Sequence, residues 1–144
     1  MKFFITAFIT VFTSAAFSQN LQFTVSAFDK TITVSPDEEN TDNVFTFKVD
    51  QLNQPNSLIT IHILHEETDK DWKRNFSIYD STDNAIQDFV FMKDGSYCIK
   101  LQNIASKLKV NNNYFIYTIA LPKDPQKAML VKIGRRLVCE IKIR

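Results

Sequence analysis

This 144-residue chain has two glycines, two cysteines, two histidines and one tryptophan. Gly95 and Gly134 stand far apart, so no Gly-rich loop can cradle a phosphate. His62 and His65 are separated by an odd number of positions, which on a strand places them on opposite faces. The stretch that begins at His65 also lacks the second histidine of a helical HExxH zinc site. There is no G-x-S-x-G elbow, and neither cysteine has a histidine near it in sequence, so nucleophilic catalysis finds no support. Residues 80–84, DSTDN, offer oxygen ligands on a loop but lack the glycine and distal glutamate of a calcium-binding EF-hand loop. No metal, cofactor or enzymatic activity is expected.

Excess charge is lacking too. Without Lys2 the chain carries 16 basic and 16 acidic residues. A neutral chain argues against bulk binding to nucleic acid or to an anionic membrane, which both need a basic surface. The balance hides an asymmetry. Residues 20–50 hold six acids against two lysines, whereas residues 123–144 hold seven basic residues against two acids.

No apolar run is long enough to span a membrane. The short run at residues 3–12 follows Met1-Lys2 and precedes Ala16-Phe17-Ser18, with small residues at −3 and −1. That is the layout of a secretory signal peptide. Residues 1–18 are read as the leader and 19–144 as a single domain, secreted or periplasmic after cleavage near Ser18. In an exported chain a disulfide persists. Cys139 lies on the same face as Leu137, Ile141 and Ile143 and points inward. A Cys98–Cys139 bridge is expected if Cys98 shares that interior, and two free thiols if its face meets solvent.

Period-two alternation runs through most of the chain, in segments spaced roughly every ten residues with turn signals between them. Residues 21–28, 44–50, 58–64 and 114–121 alternate clearly. On the last of these Phe115, Tyr117, Ile119 and Leu121 share a face. Two hairpins are expected. One turns at Asp94-Gly95 as a two-residue type I′ loop, pairing Val90 with Ile99 and Phe91 with Cys98. The other joins 128–133 to 136–143 through Gly134-Arg135. Residues 65–75, HEETDKDWKRN, read as a charged connection. The predicted fold is all-β, a two-sheet immunoglobulin-like sandwich of about eight to ten short antiparallel strands, with an up-and-down barrel as runner-up.

Residues 95–101, GSYCIKL, are similar to the Gly-x-Tyr-x-(apolar)-x-(apolar) strand of many immunoglobulin-like domains. In antibody-type domains the tyrosine precedes the cysteine by two residues, whereas Tyr97 adjoins Cys98. The heptapeptide also resembles part of the C-terminal sorting domains of a bacterial outer-membrane secretion system, although those domains end soon after that strand.

By elimination, the expected function is an exported protein-binding adaptor, assembly subunit or chaperone of the cell envelope. Its partner would be another exported protein rather than nucleic acid. The basic outer face of the last strand, with Arg136, Lys142 and Arg144, is the expected docking strip. The alternative is a glycan or small-ligand module built on Trp72 and its adjacent loops, since a lone aromatic in a polar setting suits stacking on a ring.

Overall fold

The computed structural model describes residues 21–35, 42–66, 70–131 and 133–144. The proposed leader and most of the acidic stretch at 36–41 lie outside the described residues. Ten strands form: β1 (Gln22–Ala27), β2 (Lys30–Val34), β3 (Val44–Phe47), β4 (Leu58–His65), β5 (Trp72–Asp80), β6 (Ala85–Asp88), β7 (Val90–Phe91), β8 (Tyr97–Lys100), β9 (Asn113–Pro122) and β10 (Arg135–Ile143). They make two five-stranded sheets, ordered β2-β1-β4-β8-β7 and β3-β10-β9-β5-β6. Both sheets keep open edges, so the sandwich is realised and the barrel is not. Every pairing is antiparallel except β3 with β10, which is parallel.

The strand order is of immunoglobulin type. In that arrangement strands A, B, E and D face strands C, F and G. Here β1, β4, β8 and β7 occupy the first set, β5, β9 and β10 the second, and β6 continues the second sheet beside β5. The hairpin to β2 is an addition at the edge. Tyr114, at the start of β9, supplies the corner tyrosine of such folds. Its hydroxyl accepts from the Lys109 N–H at 2.7 Å and reaches back to the Lys107 carbonyl at 3.5 Å. The resemblance at residues 95–101 therefore points to the wrong strand, because Tyr97 sits on β8. Its hydroxyl donates to the Arg74 carbonyl at 2.8 Å and crosses to the other sheet.

Alternation builds the core. Phe23 and Val25 of β1 with Ile59 and Ile61 of β4 face Phe45, Phe47, Phe76, Ile78, Ile116 and Ile141 of the second sheet. Phe23 and Phe76 meet edge to face at 5.2 Å between centroids, the favoured geometry for aromatic pairs. At the β1–β2 turn Phe28 takes φ 53°, a costly conformation for a bulky residue. Its ring packs on Phe47 at 5.6 Å, a contact that offsets part of that strain.

Several sequence expectations are corrected. The hairpin at 88–102 is not a two-residue type I′ loop. The Gly95 N–H donates to the Met92 carbonyl at 3.0 Å, and the Met92 N–H to Ser96 at 2.8 Å, with Gly95 at φ +84°. That is a three-residue loop ending in a left-handed glycine, and it moves the register by one. Val90 pairs with Cys98 and Phe91 with Tyr97. The chain also changes sheets inside this stretch, at buried Phe89, whose N–H donates to the Phe76 carbonyl at 2.9 Å.

The second expected hairpin does not form. Asp124 caps a helical turn at Pro125–Ala128, accepting from the Gln126 N–H at 2.9 Å, and β10 pairs with β9 and β3 instead. A proline at the first helical position behind an aspartate cap favours that turn over a strand. A bulge between Leu137 and Cys139 breaks the inward stripe, so Leu137 faces out while Cys139, Ile141 and Ile143 face in. Finally, the connection read at 65–75 is strand at both ends, since β4 runs to His65 and β5 begins at Trp72.

Candidate functional site

Strand pairing fixes which side chains share the outer face of the second sheet. On β9 the buried positions are Tyr114, Ile116, Thr118 and Pro122, so Phe115, Tyr117, Ile119 and Leu121 point away from the core. Directly opposite Tyr117 stands Leu137 of β10, 46% exposed, and opposite Phe115 stands Tyr79 of β5. This strong apolar alternation therefore lines the outer face of the sheet, half-buried, rather than the interior.

Arg135 organises the middle of this face. Its guanidinium lies 4.3 Å from the Tyr117 ring centroid and 4.9 Å from that of Tyr79, and it pairs with Asp83. The two tyrosines meet edge to face at 5.4 Å, and Phe115 lies 6.4 Å from Tyr117. Hydrogen bonding to Asp83 raises the Arg135 pKa further, so the group is permanently cationic. A planar cation stacked on tyrosines and flanked by leucine and isoleucine has the composition of interface hot spots.

A second feature lies at one end of the molecule. Trp72, half-buried, joins Asp71, Pro122, Lys123, Asp124, Lys127, Leu130 and Val131 around an open cleft of about 500 Å³. Two contacts tie its walls together. The Lys123 N–H donates to the Asp71 carbonyl at 2.7 Å, and the Lys123 ammonium to the Lys70 carbonyl at 2.5 Å. Trp72 has thus neither folded fully over a sheet edge nor become free in solvent.

The expected docking strip is dispersed. Arg136 stands opposite buried Thr118 on the inward side, because the bulge shifts the phase of β10. Lys142 lies on the outer side, 3.8 Å from Glu140. Arg144 is held mainly by its backbone, through Phe47 at 2.9 Å and Val49 at 3.2 Å. Moreover, β10 is interior to its sheet, with β3 on one side and β9 on the other, so its Glu140–Ile143 half has no free edge.

The expected disulfide is absent, and Cys98 and Cys139 are both free. Cys98 neighbours inward Ile99 on the first sheet and so faces outward, whereas Cys139 is buried inside the second. No bridge can join opposite sides of a sandwich. Burial pushes the Cys139 thiol up to about 12, so it is inert near neutrality. The Asp80 carboxylate is occupied by its own loop, accepting from the Asn84 N–H at 2.9 Å and from Thr82, which holds its pKa down. Asp83 of the same loop pairs with Arg135. Both histidines are exposed. Among the described residues no group of three or more His, Cys, Asp or Glu side chains is placed to hold a metal ion.

Sequence reasoning missed Arg74. Its side chain is 4% exposed, donating to Glu66 at 2.9 Å from Nε and 2.8 Å from Nη2, and to Thr118 Oγ1 at 3.3 Å from Nη1. Its guanidinium also lies 5.8 Å from the centroid of Phe23. Carrying the alternation of Phe76 and Ile78 two residues further back would have placed Arg74 on the inner face. No protein-family model matches the chain, and no curated protein is significantly similar to it in sequence.

Proposed function

We propose that this chain is an exported, non-enzymatic β-sandwich that binds another exported protein, as an adaptor or assembly subunit of the cell envelope. The outer face of the second sheet supports this reading. A strand apolar on both sides normally runs between two covering layers. Among the described residues β9 has a covering layer on one side only, and the proposed partner supplies the other. Arg135 and the tyrosines would anchor the contact, while Lys142, Glu140 and Asp83 provide a charged rim that orients it.

The test is crosslinking and affinity capture of the tagged chain from its native envelope, beside a Leu137→Asp variant shown to be folded by circular dichroism. One partner recovered in fixed ratio with the parent chain and lost from the variant is the expected result. A partner retained by the variant removes this face from consideration. A chaperone role would instead delay client aggregation at substoichiometric amounts. The cleft at Trp72 supports a second reading, a glycan or small-ligand site, for which glycan-array binding abolished by Trp72→Ala is the discriminating result.

A further inference from the structure

We infer that the apolar tip at Met129-Leu130 docks this protein onto anionic lipid bilayers. These two side chains are 86% and 87% exposed, the most exposed large apolar groups among the described residues. They are presented by a hydrogen-bonded turn. The Ala128 N–H donates to Asp124, the Met129 N–H to Pro125 and the Leu130 N–H to Lys127, at 3.1, 3.3 and 3.0 Å. The backbone is therefore satisfied within the turn while the side chains stay in water. Leu130 also lines the Trp72 cleft, and an apolar pair this exposed at its rim suits insertion into a soft medium better than fitting into a shaped pocket.

The surrounding charge points to the sign of that medium. Residues 123–131 carry two lysines, Lys123 and Lys127, and a single acid, Asp124, whose carboxylate is engaged as the helix cap. Lys123 and Lys127 are exposed beside the tip, and exposed Lys70 adjoins Lys123 across the cleft. Asp71 is the other acid on that rim. The overall neutrality of the chain thus conceals a local basic end. Lysines flanking an apolar tip can reach lipid phosphates while the tip enters the acyl boundary. Trp72, half-buried in the lining of the cleft, would lie at the headgroup level that tryptophan favours. This inference uses residues outside the adaptor face and is tested separately from it.

The experiment is flotation of the purified chain with vesicles of phosphatidylcholine alone and with one-third phosphatidylglycerol. Emission of Trp72, the one tryptophan, is recorded in the same samples. Binding to the anionic vesicles with a blue-shifted emission, weakened by added salt, is expected. Met129→Ser with Leu130→Ser should lower partitioning by at least about tenfold. Lys127→Gln should lower it by about fivefold, and Val90→Ser, an exposed apolar residue on the other sheet, should leave it unchanged. Absence of binding to anionic vesicles overturns the inference, and so does binding that the double variant retains. Should the tip capture an acidic protein and ignore vesicles, the lipid assignment is equally overturned.

Discussion

Replacing Glu66 with glutamine should destabilise this sandwich far more than replacing its partner Arg74 with methionine. The asymmetry follows from burial, since the Arg74 side chain is 4% exposed and that of Glu66 is 28% exposed. Removing the carboxylate leaves a guanidinium between the sheets without its counter-charge. Breaking a fully buried pair in this way costs about 3–5 kcal/mol. The partial exposure of Glu66 screens the interaction, so about 2–3 kcal/mol is the expected loss. Methionine at position 74 instead puts an apolar chain of similar length against Phe23, and the abandoned carboxylate can turn to water. Thr118 keeps its bond to the Asn75 carbonyl at 3.0 Å, so no buried hydroxyl is stranded. That variant should fall within about 1 kcal/mol of the parent. Urea unfolding checks both. With a slope of about 2 kcal/mol/M, Glu66→Gln lowers the midpoint by about 1 M and Arg74→Met by less than about 0.5 M. Equal losses, or a larger loss for Arg74→Met, would refute the argument that the buried charge, rather than the ion pair, dominates.

Tyr114→Phe removes the hydroxyl that ties β9 to residues 107 and 109, and should cost about 1–2 kcal/mol in the same urea assay with the slope unchanged. The two thiols should differ in chemistry: at pH 8 a maleimide labels Cys98 in the native protein, while Cys139 labels only after unfolding. Because the native Cys139 pKa is raised from 9.0 to about 12, its contribution to stability is complete below pH 9 and is lost as pH rises towards 12. The stability difference between the parent and Cys139→Val should therefore shrink above pH 9, by about 1.4 kcal/mol per pH unit. A pH-independent difference would show that the thiol loses its proton equally in both states, so that burial does not raise its pKa.

Period-two alternation was enough to identify β1, β4 and β9, because it reports a local property, the side on which each residue of an extended chain points. The same alternation could not say which side of β9 would be covered. Phe115, Tyr117, Ile119 and Leu121 form the stronger stripe, yet Tyr114, Ile116 and Thr118 took the interior. Their facing partners on β5 and β10, Phe76, Ile78, Cys139 and Ile141, leave the inward volume there. The bulge after Leu137 was equally invisible, since one inserted residue moves every later side chain to the other face without altering composition.

Arg74 went unread for a related reason. A charged run such as DKDWKR looks solvated until Glu66, eight residues earlier and just past the end of β4 in the other sheet, is seen to close on it. The Pro125–Ala128 turn was within reach, because aspartate followed by proline is a helix-start signal, but the apolar residues after it suggested a strand. Sequence alone determined the all-β class and the alternating core, both of which depend on residue type and short spacing. Tertiary structure alone decided the sheet order, the fate of the cysteines, the closure of Glu66 on Arg74 and the outward orientation of the β9 aromatics. Each of these depends on how distant strands share one limited interior, and no local pattern encodes that.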